Sequence, residues 1–194
     1  MVWEKRVPAR PAFTAAGDGR GKGDGQTMKI RKATLRDIPA LRTLHHELDR
    51  YHAKLMPAIF QTLARDPRPD TYYHDWIRHP ETGCCLVAEE DGRVIGFLTV
   101  RQSSPPHFPV YRSGDFAVIE DAAVKETERG RGVGSQLLDA AAAWATARGL
   151  PQIQLMVWSD NRAAAEFYQR RGFRPLLQKL ALDLPPPPEP PSPH

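Results

Sequence analysis

The stretch FAVIEDAAVKETERGRGVGSQLLDAAAAWATARGL, Phe116 to Leu150, decides how the rest of the chain is read. It opens as a strand and passes through a turn dense in glycine and arginine. It then spaces Leu137, Leu138, Ala141, Trp144 and Ala145 along one face of a helix that stops at Gly149 before Pro151. Strand, glycine turn and helix in that order gather backbone N–H groups and the positive end of a helix dipole at one point, which suits an anion. Gly130, Gly132 and Gly134 alternate with Arg131 and Val133 ahead of Ser135, where the helix is expected to open, so consecutive amides converge with no Cβ in the way. Lys125, Arg129 and Arg131 add full charges, and that much positive charge suits a diphosphate better than a single carboxylate.

Spacing excludes two commoner glycine loops. A Walker loop needs G-K-[ST] at the helix start, but Gly134 is followed by Ser135 and Gln136. A dinucleotide fingerprint needs G-x-G-x-x-G, and here Ser135 stands two residues after Val133, with no acidic residue closing the next strand at Val157 or Trp158.

The run Arg129-Gly130-Arg131-Gly132-Val133-Gly134 fits R-x-x-G-x-G, and SDNRAAAEFYQRRGF, Ser159 to Phe173, fits N-x-x-x-x-x-F-Y-x-x-x-G-F. On these two motifs the chain resembles the GNAT superfamily of acetyl-CoA-dependent N-acetyltransferases, from Met28 to Leu182. The resemblance implies an α/β fold with a mixed, mostly antiparallel central sheet and helices on both faces. It also implies acetyl-CoA as cosubstrate, its pantetheine arm lying like an extra strand between two splayed strands. Ala122, Ala123 and Val124 would flank that arm, with a backbone N–H near Val124 polarising the thioester carbonyl, while Arg129, Gly130, Arg131, Gly132, Val133, Gly134 and Ser135 cradle the pyrophosphate. Asn161 would hold the arm and Tyr168 would protonate the departing thiolate, the seven-residue helical step from one to the other rising roughly 10 Å. Glu120 would handle the proton of an amine acceptor, with Asp121 as the other carboxylate in reach.

The Ile119-Glu120-Asp121 triplet and the Phe167 to Gly172 run are similar to those of polyamine and diamine acetyltransferases, which points to a small primary amine attacking directly in a ternary complex. Protein N-terminal acetyltransferases often carry L-E-V where this chain has Leu155-Met156-Val157. Modification of a protein N-terminus or lysine is the alternative within the family, and a noncatalytic acyl-CoA-binding regulatory module is the alternative outside it. A homodimer is a compatible assembly, and neither a metal nor a nucleic-acid or membrane partner is expected.

Composition agrees with a globular domain: 194 residues, 41% hydrophobic and 26% charged, and no apolar run near the ~18 that a membrane span needs. The net charge of +4 is mild, and an anionic cofactor site accounts for part of it. Residues 1–27 read as a disordered leader without the apolar stretch of a secretory signal, Glu4, Asp18 and Asp24 argue against a transit peptide, and Met28 reads as a natural start. The domain is expected over 28–183 and a proline-rich disordered tail over 184–194, in a cytoplasmic setting.

In chain order, MKIRKA reads as a strand, and Thr34 with Asp37 as a capping box for a helix whose apolar face is Ile38, Leu41, Leu44, Leu48 and Tyr51. Asp70 is expected to cap a second short helix through Tyr72, Tyr73, Trp76 and Ile77, in the region that by resemblance borders the acceptor pocket. His45, His46 and His52 lack the H-E-x-x-H spacing of a zinc helix and are read as exposed or acceptor-side polar residues. Cys84 and Cys85 are read as buried thiols on a strand that meets Arg93 to Val100 across an Asp91-Gly92 hairpin turn. Strict alternation from Phe116 to Val124 puts Val118, Glu120, Ala122 and Val124 on one face and Ile119, Asp121 and Ala123 on the other; a pleat irregularity or a hydrogen bond to a helix is the structural account of one of the two acids, Asp121 before Glu120. Gln152 to Trp158 is expected as the next strand, Ser159 to Asn161 as a turn and cap, and FRPLLQKLAL as a closing strand or two.

Overall fold

The computed structural model of the chain describes residues 28–184, so the expected leader and nearly all of the expected proline-rich tail lie outside the described residues. The chain divides into two compact units, one ending at Met156 and one beginning at Val157.

The first unit runs β1 (Lys29–Lys32), α1 (Ile38–Leu55), α2 (Asp70–Arg78), β2 (Gly83–Glu90), β3 (Arg93–Ser103), β4 (Phe116–Val124), α3 (Val133–Thr146) and β5 (Ile153–Leu155). The strands form one sheet in the order β1-β2-β3-β4-β5, antiparallel up to β4 and parallel between β4 and β5. Asp91 and Gly92 close the β2–β3 hairpin with φ of 51° and 74°, the positive values that let a two-residue turn follow the twist of its strands.

Helices cover both faces. Cys85, Val87 and Phe97 pack with Leu41 and Leu44 of α1 and Tyr73 of α2. Gly96, the neighbour of Phe97, points the other way, where an added Cβ would stand 3.2 Å from Val133 Cγ1 and 3.3 Å from Leu137 Cδ1. α3 therefore lies directly on bare backbone, with Leu137, Leu138, Ala141, Trp144 and Ala145 buried as the helical spacing requires.

Asp37 pins the start of the unit. Its Oδ2 accepts from the backbone N–H of Thr34 at 2.7 Å and from the Thr34 hydroxyl at 2.9 Å, and its two oxygens take both Nη groups of Arg31 at 2.7 and 2.8 Å. The capping box is thus present, on a 3-10 turn (Leu35–Asp37) that leads into α1. Asp70 departs from expectation: Pro69 takes the cap position, and the Asp70 carboxylate, as the first helical residue, turns to Arg42 of α1. β5 is shorter than expected, since only Ile153, Gln154 and Leu155 find partners on β4.

In the second unit α4 (Arg162–Arg170) starts where Asn161 Oδ1 accepts the N–H of Ala164 at 3.2 Å, and it stops at Gly172, φ 85°. The expected closing strand is absent: residues 173–184 carry neither helix nor strand. Pro175 has no N–H to give a ladder, and Leu176, Leu177, Leu180, Leu182 and Leu184 are exposed, so no apolar face is buried to hold a strand in place. Asn161→Ala should cost about 1 kcal/mol of α4 stability, read as loss of helical signal and a lower unfolding midpoint.

Candidate active site

The site is built on β4. Leu98 pairs with Ala122 but Val100 pairs with Ile119, so the single residue Thr99 stands opposite both Glu120 and Asp121. This is a β-bulge, and Thr99 fixes it: the Asp121 N–H donates to Thr99 Oγ1 at 3.0 Å. The extra residue breaks the pleat and corrects the expected placement of the two carboxylates on opposite faces. Asp121 meets Tyr72 of α2 and His45 of α1. Glu120 accepts from Arg101 Nε at 2.5 Å, and the Arg101 Cβ lies beside Trp76 of α2 at Gly83. Both acids therefore serve the α1–α2 side, while Ala122 and Glu120, expected together, are separated by the bulge.

The two acids differ in setting. Glu120 is exposed and ion-paired. Asp121 is half-buried; burial pushes its carboxyl up, but its neighbours His45, Tyr72 and Arg68 outweigh that and hold the group below the usual carboxylate range. Tyr72 donates its hydroxyl to Asp121 Oδ2 at 2.7 Å. His45 is 1% exposed, which corrects its reading as an exposed or acceptor-side residue: it falls one turn after Leu41 on the apolar face of α1 and packs against Phe97, Tyr72 and Tyr73.

Beyond Ile119 the outer edge of β4, through Ala122, Ala123 and Val124, carries no strand partner among the described residues, because β5 pairs only with Ala117, Val118 and Ile119. This open edge runs straight into the glycine loop. Gly130 and Gly132 have φ of 78° and 82°, and no atom of the described residues lies within 4 Å of where a Cβ on either would project. Gly132 is the N-cap of α3, so the helix begins at Val133, ahead of Ser135, and Gly134 and Ser135 lie in its first turn. Among the described residues no side chain caps the first-turn amides, which leaves them to serve an anion.

The arginines divide their work. Arg131 grips Glu90 at the end of β2 with both Nη groups, at 2.9 and 2.8 Å, and also pairs with Glu128. Its charge is neutralised by two carboxylates, so it braces the loop instead of adding free charge as its place in the motif suggests. Arg129 lies over the ring of Tyr51, 5.3 Å from its centre, and donates from Nε to Val124 O at 3.2 Å. In the second unit Tyr168 packs edge-on to Phe167 and Phe173, and burial holds its phenol above the ordinary range, keeping the hydroxyl protonated at neutral pH.

The first unit thus sets three features in line: a pair of carboxylates, an open strand edge of some 10 Å, and an anion nest at a helix start. That order suits an extended ligand with an amide-bearing arm and a phosphate end. His45, Tyr72, Thr99 and Glu90 are site residues that the motifs do not point to. For His45 the available signal is its place on the Ile38-Leu41 stripe.

Fold and site define the class, an N-acetyltransferase-type α/β domain. The chain belongs to the acetyltransferase (GNAT) family, whose model matches residues 44–173. It is 34% identical to the mycothiol acetyltransferase of Amycolatopsis mediterranei, over 51% of this chain and 38% of that one. It is 31% identical to the L-2,4-diaminobutyric acid acetyltransferase of Nocardia farcinica, over 50% of this chain and 49% of that one. The chain therefore spans about half or less of the length of these two relatives. Among solved structures it is similar to a tetramutant protein from Bacillus halodurans, with a TM-score of 0.75 and 25% identity over 80% of this chain and 99% of that one.

Proposed function

We propose that this chain transfers the acetyl group of acetyl-CoA to a primary amine of a small molecule by direct attack in a ternary complex. The observation that carries the reading is the open β4 edge between the carboxylate pair and the glycine nest. Family membership and the acceptor named for the diaminobutyric acid acetyltransferase support it. Ala122, Ala123 and Val124 take the pantetheine arm as a strand edge takes a peptide, and the amides of Gly132 to Ser135 take the pyrophosphate, with Arg129 beside them. Asn161 holds the arm and Tyr168 protonates the thiolate.

An alkylammonium, with a pKa near 10.4 in water, must lose a proton before it attacks, and the carboxylates of the bulge, Glu120 and Asp121, are the acceptors at hand. We place the reaction in the cytoplasm, as the family resemblance implies. Among the described residues no helix is long and apolar enough to cross a membrane. The test is a panel of diamines, amino acids, amino sugars and peptides assayed for free CoA release. Turnover on a small amine supports the reading. Tight acetyl-CoA binding with no transfer to any amine overturns it, and transfer to peptides alone moves the acceptor to protein. With a working acceptor, Tyr168→Phe keeps the ring and deletes the acid, so kcat should fall at least tenfold with acetyl-CoA affinity unchanged.

A further inference from the structure

His45 is buried on α1 and carries a titratable ring next to the carboxylate pair of β4. Its Nδ1 lies 3.1 Å from Leu41 O, a carbonyl that can only accept, so Nδ1 carries the hydrogen and donates. Tyr73 agrees: its hydroxyl is 3.3 Å from Nδ1 but gives its hydrogen to Asp66 Oδ2 at 2.6 Å, leaving only a lone pair for the ring. Among the described residues Nε2 has no hydrogen-bond partner; it is buried and stands 3.6 Å from Asp121 Oδ2. In the neutral ring that nitrogen is a lone pair facing a carboxylate, an arrangement completed by one added proton between them.

We propose that His45 is a positioning residue that acts through Asp121: the pair takes up the proton shed by the acceptor ammonium, making Asp121 the carboxylate that meets the amine. The proposal rests on the acetyl-transfer reading. Glu120 is the weaker candidate, since its charge is already matched by Arg101. In the step, the ammonium N–H breaks and its proton passes through Asp121 to Nε2. The amine nitrogen then bonds to the thioester carbon and the C–S bond breaks; Tyr168 gives its hydroxyl proton to the thiolate, and the second nitrogen proton, shed through solvent, restores the phenol. The pair later returns its proton to water, which balances one released proton per turnover.

Around the pair stand Tyr72, which donates to Asp121, Tyr73 beside His45, and Arg68, His52 and Cys85, which interact electrostatically with Asp121; Asp66 and Asp49 lie behind them on Tyr73 and Arg68, and Glu120, next to Asp121 on β4, is turned to Arg101. Tyr72 donates to the same Oδ2 as His45 faces, so it orients the carboxylate without supplying a site for the proton.

With a working acceptor, His45→Gln should lower kcat/KM about tenfold at neutral pH and abolish the low-pH limb belonging to the pair, with activity recovering as alkaline buffer deprotonates the amine. Acetyl-CoA affinity should not move. His45→Gln combined with Asp121→Asn should be no worse than Asp121→Asn alone, because the two act as a unit. In the wild type, where folding is not in question, the His45 ring signal in NMR should titrate at the pH of the kinetic limb. A His45→Gln profile matching wild type, losses that multiply in the double variant, or a ring titration away from the limb would each overturn the proposal. A wild type that binds acetyl-CoA and acetylates nothing overturns the acetyl-transfer reading instead.

Discussion

A Gly132→Val variant is expected to bind acetyl-CoA on the order of 10²-fold more weakly than wild type while remaining folded. Gly132 holds φ 82° at the cap of α3, a conformation that a β-branched residue enters only under strain of ~1–3 kcal/mol, and the space in front of it is open. Valine would fill that space with methyl groups and tilt the amides on which a pyrophosphate depends. Strain by itself has a control. Gly149 sits at the other end of α3 with φ 68° and equally open surroundings, so Gly149→Val should lose comparable stability and keep its acetyl-CoA affinity. Calorimetric titration of the two variants decides the matter, because equal loss of affinity in both would assign the effect to a weakened helix and remove the loop from the cofactor site.

Asp37→Ala should destabilise the chain by about 3 kcal/mol, which for its size lowers the unfolding midpoint by roughly 6–12 °C. The substitution leaves Arg31 with Glu89 and the Lys32 carbonyl and strips the Thr34 amide of its acceptor, in a place where Asp37 itself is 7% exposed. The same network sets an acid limb. Hydrogen bonding from Arg31, with Thr34 assisting and burial opposing, holds the Asp37 carboxyl down at about 2, against 3.8 unperturbed. A depressed carboxylate stabilises the folded state above its unfolded pKa, and that contribution, about 2 kcal/mol, is lost as pH falls through 3.8 toward 2. Denaturant melts between pH 5 and 2 should show this loss in wild type and a flatter slope in Asp37→Ala.

Features encoded within a few residues are legible in the amino-acid sequence. Thr34 and Asp37, the Asp91-Gly92 turn, the apolar stripe of α3 and the Asn161 cap each depend on local geometry, and each forms where its residues indicate. The bulge is not legible, because alternation from Val118 to Ala122 looks intact along β4 and fails only where Thr99 of another strand faces two residues at once. That one insertion brings the carboxylates onto a common face. Likewise, Arg131 reads as a free cation until Glu90 arrives from the end of β2. The polarity of His45 suggests a surface position, although helical spacing puts it with Leu41. Residues 173–184 mislead in the opposite way: their leucines suggest a strand, but a strand exists only with a partner.

The two cysteines of β2 bear on how this chain is assayed. Cys84 and Cys85 are its only thiols, and both are buried. Enclosure pushes each thiol up, Cys85 the further, so at working pH they are protonated and out of reach of an electrophile. A chromogenic disulfide reagent added to native protein should therefore develop almost no colour until the chain is unfolded. Every thiolate that appears during turnover is then the product, CoA, and release can be followed continuously in the same cuvette without blanking against the protein.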